Sequence, residues 1–353
     1  MTARPEIDAV LAGDSGPLKA PFPWFGGKRR VADRVWSALG DVDNYVEPFM
    51  GSLAVLLGRP AAFNRWQTGA ETVNDADAYL SNFWRAVTAD PEAVAAAADW
   101  PVNETDNLAR HLWLVNEGRA RIGRMEADPD FYDVKVAAWW VWGINAWIGG
   151  GWCHGTGPWT RAADGLSVVK GDAGQGVNRQ RPHLGNAGRG VNRQLPHLGN
   201  AGQGVMIYFQ SLAARLRRVR VCCGDWSRVV TDGATAYGES VGVFLDPPYL
   251  GDVRAADLYR VDDHTISVAV RDWAIAHGDD RRLRIVLAGY WQEHAAAMPD
   301  SWRSERYSAN KSFGTRNAVG SGAGNDANRH NEALWYSAGC RKPQQAHLFG
   351  GTK

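Results

Sequence analysis

The sequence predicts an α/β fold: a doubly wound, mostly parallel sheet with a helical and loop region inserted into it. Three observations point there. Two successive stretches, NYVEPFMGSLAVLLG and ETVNDADAYLSNFWRAV, each give a short apolar strand, an acidic turn and a helix. The alternation returns late in the chain, where RVCCGD, VGVFLD and LRIVLAGY are separated by helical patterns. Finally, VFLDPPYLGD ends an apolar run in two prolines, which lack N–H donors and cannot continue a buried strand. The break presents Asp246, Pro247, Pro248 and Tyr249 at the strand's carboxyl end, where ligands sit in open α/β sheets. The tetrapeptide alone fits a stiff turn equally well.

Taken in order, the elements begin after a flexible leader, residues 1–20. The loop PFPWFGGKRR leads into an amphipathic helix with Val31, Val35, Trp36 and Leu39 on one face. A strand at Tyr45 and Val46 and the two acidic turns follow. From Pro91 to about Trp147 the pattern is helical and ends in a tryptophan-rich run, whose Trp139, Trp140 and Trp142 are expected in the core. Residues 149–204 are rich in Gly, Asn and Arg. They hold a 14-residue direct repeat, GVNRQRPHLGNAGR from Gly176 and GVNRQLPHLGNAGQ from Gly190. Two copies are too few for a solenoid, so a polar loop or small hairpin is expected. Then come a helix in VMIYFQSLAARLRRV, a strand in RVCCGD, a helix in WSRVVTDG, the strand before Asp246, a helix in HTISVAVRDWAIAHG and a strand in LRIVLAGY. A Gly/Asn-rich loop from Phe313 to Arg329 precedes a last strand, ALWYSA. The expected organisation is a discontinuous core, 21–100 and 205–340, an insert at 101–204 and a tail at 341–353.

A chain of 353 residues with 45% hydrophobic content can form a large core. Its formal net charge is only +1, so attraction to nucleic acid or membrane must come from local clustering. Cys153, Cys222, Cys223 and Cys340 show no CxxC spacing, which argues against a zinc site or disulfide framework and suits a reducing cytoplasm. No apolar window reaches the roughly 18 residues that a membrane span needs, and the polar amino terminus lacks a signal-peptide core. A soluble, cytoplasmic protein is expected, as a monomer or weak dimer.

Gly26, Gly27 and Lys28 suggest nucleotide binding, but a P-loop would need glycine at Phe22 and Ser or Thr at Arg29. The glycine pair can still bring a ligand close to the backbone, or simply turn into a helix. Three acidic turns, Glu47-Pro48-Phe49, Asn74-Asp75-Ala76-Asp77 and Gly224-Asp225-Trp226, share the carboxyl edge with Asp246 in a doubly wound sheet. Carboxylates suit ribose hydroxyls, an adenine amino group or a cation, and suit phosphates poorly. An uncharged or positive nucleoside is therefore favoured over NAD or ATP. A metal site is the rival, weighed low because no histidine accompanies the acids at useful spacing.

Between Ala173 and Arg220 there are eight arginines and no Asp or Glu. Arg179, Arg181, Arg189 and Arg193 lie in the repeat region, and Arg215, Arg217, Arg218 and Arg220 follow. Such a stripe can neutralise several phosphates, and Asn178, Gln180, Asn192 and Gln194 can read base edges. The bland alternative is a solvated glycine-rich loop beside a basic helix face. The unbalanced charge favours double-stranded DNA as partner.

These motifs, in this order, resemble the Dam-like, alpha-group DNA adenine-N6 methyltransferases, including phage-borne members. PFPWFGGK resembles their amino-terminal cofactor motif, YVEPFMGS their EPFxG turn and VNDAD their ribose-binding turn. The Gly224-Asp225-Trp226 turn resembles their adenine-binding turn, and LDPPY their catalytic motif. The resemblance spans roughly residues 20–340, with recognition elements between the cofactor and catalytic motifs. It implies a Rossmann-like S-adenosylmethionine-dependent fold and assigns Trp24, Gly26, Gly27 and Lys28 to the cofactor. It also implies that Glu47, Pro48, Phe49 and Gly51 form the methionine-side turn, that Asp75 binds the ribose, and that Asp225 with Trp226 holds the adenine. In two places the chain departs from the pattern. The FxGxG turn has Leu53 in place of its second glycine, and Trp226 stands where phenylalanine is usual.

The implied chemistry is methyl transfer to N6 of adenine in DNA. A base inside a duplex is out of reach, so it must be flipped, at a cost of about a few kcal/mol. Tyr249 would stack on the base. The Asp246 carboxylate and Pro247 carbonyl would accept the amino hydrogens, aiming the nitrogen lone pair for in-line transfer with no covalent enzyme intermediate. Asn178, Arg179, Arg181, Arg189, Asn192 and Arg193 would contact DNA. Methylation of RNA or of a protein glutamine, and a catalytically dead DNA-binding homologue, remain as alternatives.

Overall fold

The structure, a computed structural model, describes residues 18–24, 26–128, 130–147, 152–153, 159–161, 167–169, 203–248, 263–307 and 332–342. Its first helix, α1 (Ala32–Leu39), precedes strand β1 (Asn44–Glu47), helix α2 (Ala54–Leu57), strand β2 (Ala70–Asp75) and helices α3 (Ala78–Ala89) and α4 (Pro91–Ala98). Helix α5 (Glu104–Trp113) runs through a π-helical turn, Leu114–Gly118, into α6 (Arg119–Ile122), and α7 spans Val134–Ala146. Strands β3 (Trp159–Arg161) and β4 (Ser167–Val169) pair as an antiparallel ribbon, and the 14-residue repeat, up to its last residue Gln203, lies outside the described residues. Helix α8 (Gln203–Leu216), β5 (Val219–Cys223), α9 (Asp232–Thr235), β6 (Val241–Leu245), α10 (Asp263–His277), β7 (Leu283–Tyr290), α11 (Trp291–His294), β8 (Arg303–Tyr307) and β9 (Glu332–Tyr336) follow.

The main sheet has the order β5-β2-β1-β6-β7-β9-β8. Strands β5, β2, β1, β6 and β7 are mutually parallel, and β9 runs antiparallel between β7 and β8. This is the Rossmann-like α/β arrangement expected. Winding proceeds outward one way through β2 and β5 and the other way through β7. The order therefore reverses between β1 and β6, and the crevice outside their carboxyl ends is the topological switch point.

Alternation along the central strands builds two cores. Tyr45, Phe244, Val286 and Ala288 face one layer, formed by α1, α3, α4, α7 and α8. Val46, Val243, Leu245, Ile285 and Leu287 face the other, where Val270 and Ala274 of α10 pack. Every position of β1 and β6 is buried, which is why β6 appears in the sequence as an unbroken apolar run, while β1 buries Asn44 and Glu47 at its ends. Helix starts are marked by side-chain caps: Asp77 for α3, Asp90 with Pro91 for α4, Asn103 for α5 and Asp133 for α7. Each cap contributes about 1 kcal/mol.

The leading segment is strapped across the helical layer. The Tyr208 hydroxyl accepts from Lys19 N and donates to Lys19 O, both at 2.6 Å, and Asn145 Nδ2 donates to Pro21 O at 3.0 Å. Phe22 then inserts among Phe83, Trp84 and Trp140, with ring centroids 5.0–5.6 Å away.

Four sequence expectations change. WSRVVTDG is not one helix but a 3-10 turn, Trp226–Val229, followed by α9. Asp225 and Thr231 each cap their own short piece. Trp140 and Trp142 are core residues as expected, but Trp139 is only partly buried, lying edge-on to Trp113 under the cations of Lys135 and Arg110. Strand β8, sequence RSERY, was not anticipated, because its half-exposed charges give no apolar alternation. The basic stripe also loses members to structure. Arg215 is bidentate to buried Glu71 at 2.6 and 2.9 Å and lies over Trp66, Arg218 donates to Gln67 O, and Arg220 donates to Thr72 Oγ1 at 3.2 Å.

Candidate active site at the carboxyl edge of the sheet

Glu47 ends β1, Asp75 ends β2, Asp225 lies two residues past β5, and Asp246 directly follows β6. Because these strands are parallel and adjacent, all four acids leave the sheet at one edge. Asn74 binds three of the turns together. Its Nδ2 donates to Pro48 O at 3.1 Å and to Gly224 O at 2.9 Å, while its own carbonyl accepts Met50 N at 2.8 Å. Gly224 N in turn donates to Asp75 O at 3.0 Å.

The acids differ in setting. Asp75 is buried, and burial pushes its carboxyl up to about 7, although it accepts N–H bonds from Asp77 and Gly51, both at 3.0 Å. Glu47 is also buried. Its Oε2 accepts from the Tyr45 hydroxyl at 2.9 Å, and burial, with the nearby Asp246 charge adding, holds its carboxyl well above the usual range. Asp225 is exposed and accepts from Ser227 N at 2.9 Å. Asp246 is largely buried, and its Oδ1 lies 3.0 Å from Lys28 Nζ.

The loop carrying Trp24, Gly26, Gly27 and Lys28 reaches the same place. Lys28 Nζ also donates to Gly26 O at 2.8 Å. Gly51 has φ +43°, and a Cβ there would come within 2.6 Å of Trp24 Nε1, so the indole rests against bare backbone. Trp84 Nε1 donates to Gly51 O at 3.3 Å from the far side. Two residues on, Leu53 adopts φ +53° and ψ +27°, so the turn keeps a left-handed conformation where the FxGxG pattern has glycine. Phe49 and Trp226 stack with centroids 6.3 Å apart at 26°. A cavity of about 190 Å³ is lined by Ala76, Cys223, Gly224 and Arg228 at the sheet edge and by Ile122 and Met125.

Residues 24–110 match the family of D12 class N6 adenine-specific DNA methyltransferases. Over that segment the chain is similar to adenine-specific DNA methyltransferases. The match begins at Trp24 and includes the Glu47 and Asp75 turns; the Asp225 turn and Asp246 lie beyond it. No curated protein matches the chain.

Fourteen of the expected site residues are described and converge on the edge just outlined: Trp24, Gly26, Gly27, Lys28, Glu47, Pro48, Phe49, Gly51, Asp75, Asp225, Trp226, Asp246, Pro247 and Pro248. Tyr249, Asn178, Arg179, Arg181, Arg189, Asn192 and Arg193 lie outside the described residues. Sequence reasoning overlooked Asn74 as the clip between turns and Tyr45 as the partner of Glu47. An amide immediately before an acid at a strand end is the only signal that pointed to the first. Among the described residues no cluster of three or more His, Cys, Asp or Glu could hold a metal, and no helix is long and apolar enough to cross a membrane.

Proposed function

We propose that the protein is an adenine-specific DNA methyltransferase, which takes its methyl group from S-adenosylmethionine and delivers it in line to N6 of an adenine flipped out of duplex DNA. The residues fit such a cofactor on chemical grounds. Asp75 is a buried acceptor for ribose hydroxyls, Asp225 an exposed acceptor for an adenine amino group, and Phe49 and Trp226 offer ring faces. Gly26 and Gly27 leave the backbone bare beside Lys28 Nζ, Trp24 O and Ser52 Oγ, and Gly51 leaves it bare under the Trp24 indole. Bound S-adenosylmethionine supplies a methyl group activated by its sulfonium. The protein contributes position and charge.

The observation that carries this reading is the placing of Asp246 at the switch point, paired with Lys28 and on one edge with Asp75. There its carboxylate and the Pro247 carbonyl would accept the two amino hydrogens of the base, leaving the nitrogen lone pair directed at the methyl group. Pro248 stiffens the turn, and Tyr249 would stack on the flipped base. After transfer the nitrogen sheds one proton to solvent, so no protein nucleophile is consumed. Arg179, Arg181, Arg189, Arg193, Asn178 and Asn192, in the insert, would hold and read the DNA.

The test is expression in a host that lacks adenine methylation, followed by modification-sensitive sequencing of its genome, with Asp246→Ala as control. Methylated adenine in a fixed sequence context, lost at least about 1000-fold in the variant, is expected. An unmodified genome with methylated RNA would move the substrate to RNA. An unmodified genome and transcriptome would refute the reading.

A further inference from the structure

Lys28 brings a cation into a nearly dry place, with its side chain 7% exposed. A buried ammonium costs several kcal/mol unless it is paired. Here the pairing is with Asp246 Oδ1 at 3.0 Å and with Gly26 O at 2.8 Å. The loop that delivers it is itself held: Arg29 Nη1 donates to Leu18 O at 3.3 Å, and Trp24 packs on Gly51. The ion pair meets the carboxylate at the switch point.

Glu47 shows why a counter-charge matters there. It is buried, hydrogen bonded to Tyr45, and close enough to Asp246 for the two carboxyl groups to feel one another. Lys28 sets a positive charge against Asp246 on an edge to which Glu47 adds a carboxyl. An opposite charge within hydrogen-bond reach favours the ionised form of a carboxyl. A protonated carboxyl would offer the amino group of the base a donor where it needs an acceptor.

We propose that Lys28 is a positioning residue for Asp246: its ion pair on Oδ1 sets the carboxylate plane and keeps the group an acceptor for the N6 amino hydrogens. This rests on the methyl-transfer reading and adds a role to the cofactor contact that the motif resemblance implies. It also joins the two halves of the site. Asp75 holds Gly51, Gly51 seats Trp24, and the loop of Trp24 carries Lys28 to Asp246.

The test uses the full chain with S-adenosylmethionine and unmethylated genomic DNA, comparing Lys28→Met, Lys28→Arg, Asp246→Asn and the Lys28→Met/Asp246→Asn double variant. Calorimetry reads cofactor affinity and single-turnover assays read the chemical step. Lys28→Met is expected to slow transfer about 100-fold with cofactor Kd within about threefold, and Lys28→Arg to recover about tenfold of that loss. In the Asp246→Asn background, Lys28→Met should add less than about threefold, because its partner is already gone. A transfer rate at saturating cofactor near that of the unaltered enzyme, or equal costs in both backgrounds, overturns the proposal. If Lys28→Met does not fold, Lys28→Arg decides: cofactor binding lost with transfer intact would make Lys28 a cofactor ligand only. An unaltered enzyme that methylates no adenine would fail the functional reading itself, an outcome visible before any variant is compared.

Discussion

Asp75 Oδ2 accepts the backbone N–H of Gly51 at 3.0 Å, so the acid that ends β2 fixes the turn that follows β1. Its other oxygen accepts Asp77 N at 3.0 Å, and Asp77 in turn caps α3 through Tyr79 N and Leu80 N. One buried carboxyl therefore sets the spacing of two turns and the start of a helix. A ligand hydroxyl reaching Asp75 would meet a group whose orientation is already decided, which lowers the ordering cost of binding.

The burial of Asp75 should be visible in the pH dependence of stability. Its folded value, about 7, is raised above the ordinary 3.8, chiefly by desolvation. The native state then binds a proton that the unfolded chain has released. The stabilisation is complete below about pH 4 and is lost as pH rises through about 7, at most about 4 kcal/mol. Asp75→Asn carries no such titration. Denaturant unfolding at pH 5 and pH 8 should show a steeper decline for the unaltered protein than for the variant. Parallel curves would mean that Asp75 is ionised and solvated in the fold.

His294 should act in the opposite direction. It is fully buried on α11 against Gly289 and Trp335, neither ring nitrogen has a hydrogen-bond partner among the described residues, and burial lowers its value to about 4 from 6.5. With a depressed folded value, its stabilisation is present above about pH 6.5 and lost as pH falls through about 4, a change of about 3 kcal/mol. His294→Leu should remove that acid-side loss, read as a flatter unfolding free energy between pH 6.5 and 4. An unchanged slope would sink the assignment.

The parts of the molecule that were legible in the sequence are those whose cause is local. Val241–Leu245 and Leu283–Tyr290 show as strands because nearly every residue is apolar, and the two prolines mark the end of the first. The caps at Asp77, Asp90 and Asp133 are visible as acids before apolar runs. What was not legible depends on distant partners. The π-helical turn at Leu114–Gly118 is supported by the Tyr79 hydroxyl, which donates to Leu114 O at 2.6 Å from another helix. Leu53 holds a left-handed backbone, which costs about 1–2 kcal/mol for a non-glycine residue. Its side chain is fully buried, and that packing offsets the strain. Neither the strain nor its compensation appears in a motif comparison, where the absent glycine reads only as a defect.

Gly51 and Trp24 should be coupled. Alanine at Gly51 incurs left-handed backbone strain of about 1–2 kcal/mol anywhere. With Trp24 present it also meets the indole nitrogen at 2.6 Å, which a rigid ring cannot easily avoid. Gly51→Ala should therefore cost at least about 1 kcal/mol more in the unaltered protein than in a Trp24→Ala background, measured by denaturant unfolding in a double-mutant cycle. Additive costs would show that the indole moves aside freely.

Arg215 separates structural charge from DNA-binding charge. The sequence groups it with the arginines of the repeat, yet the fold gives it to Glu71, an acid whose side chain is 2% exposed and which also pairs with Arg59. Removing one partner of a buried pair strands the other charge, and such changes cost about 3–5 kcal/mol. Arg59 shares the load, so Arg215→Ala should destabilise by about 2–3 kcal/mol. The salt dependence of DNA binding should stay as it is, because a lost phosphate contact would lower the slope of log K against log salt by about 1. Urea unfolding and a salt titration of DNA affinity on the same preparation check both. A reduced salt slope with undiminished stability would return Arg215 to the DNA-facing stripe.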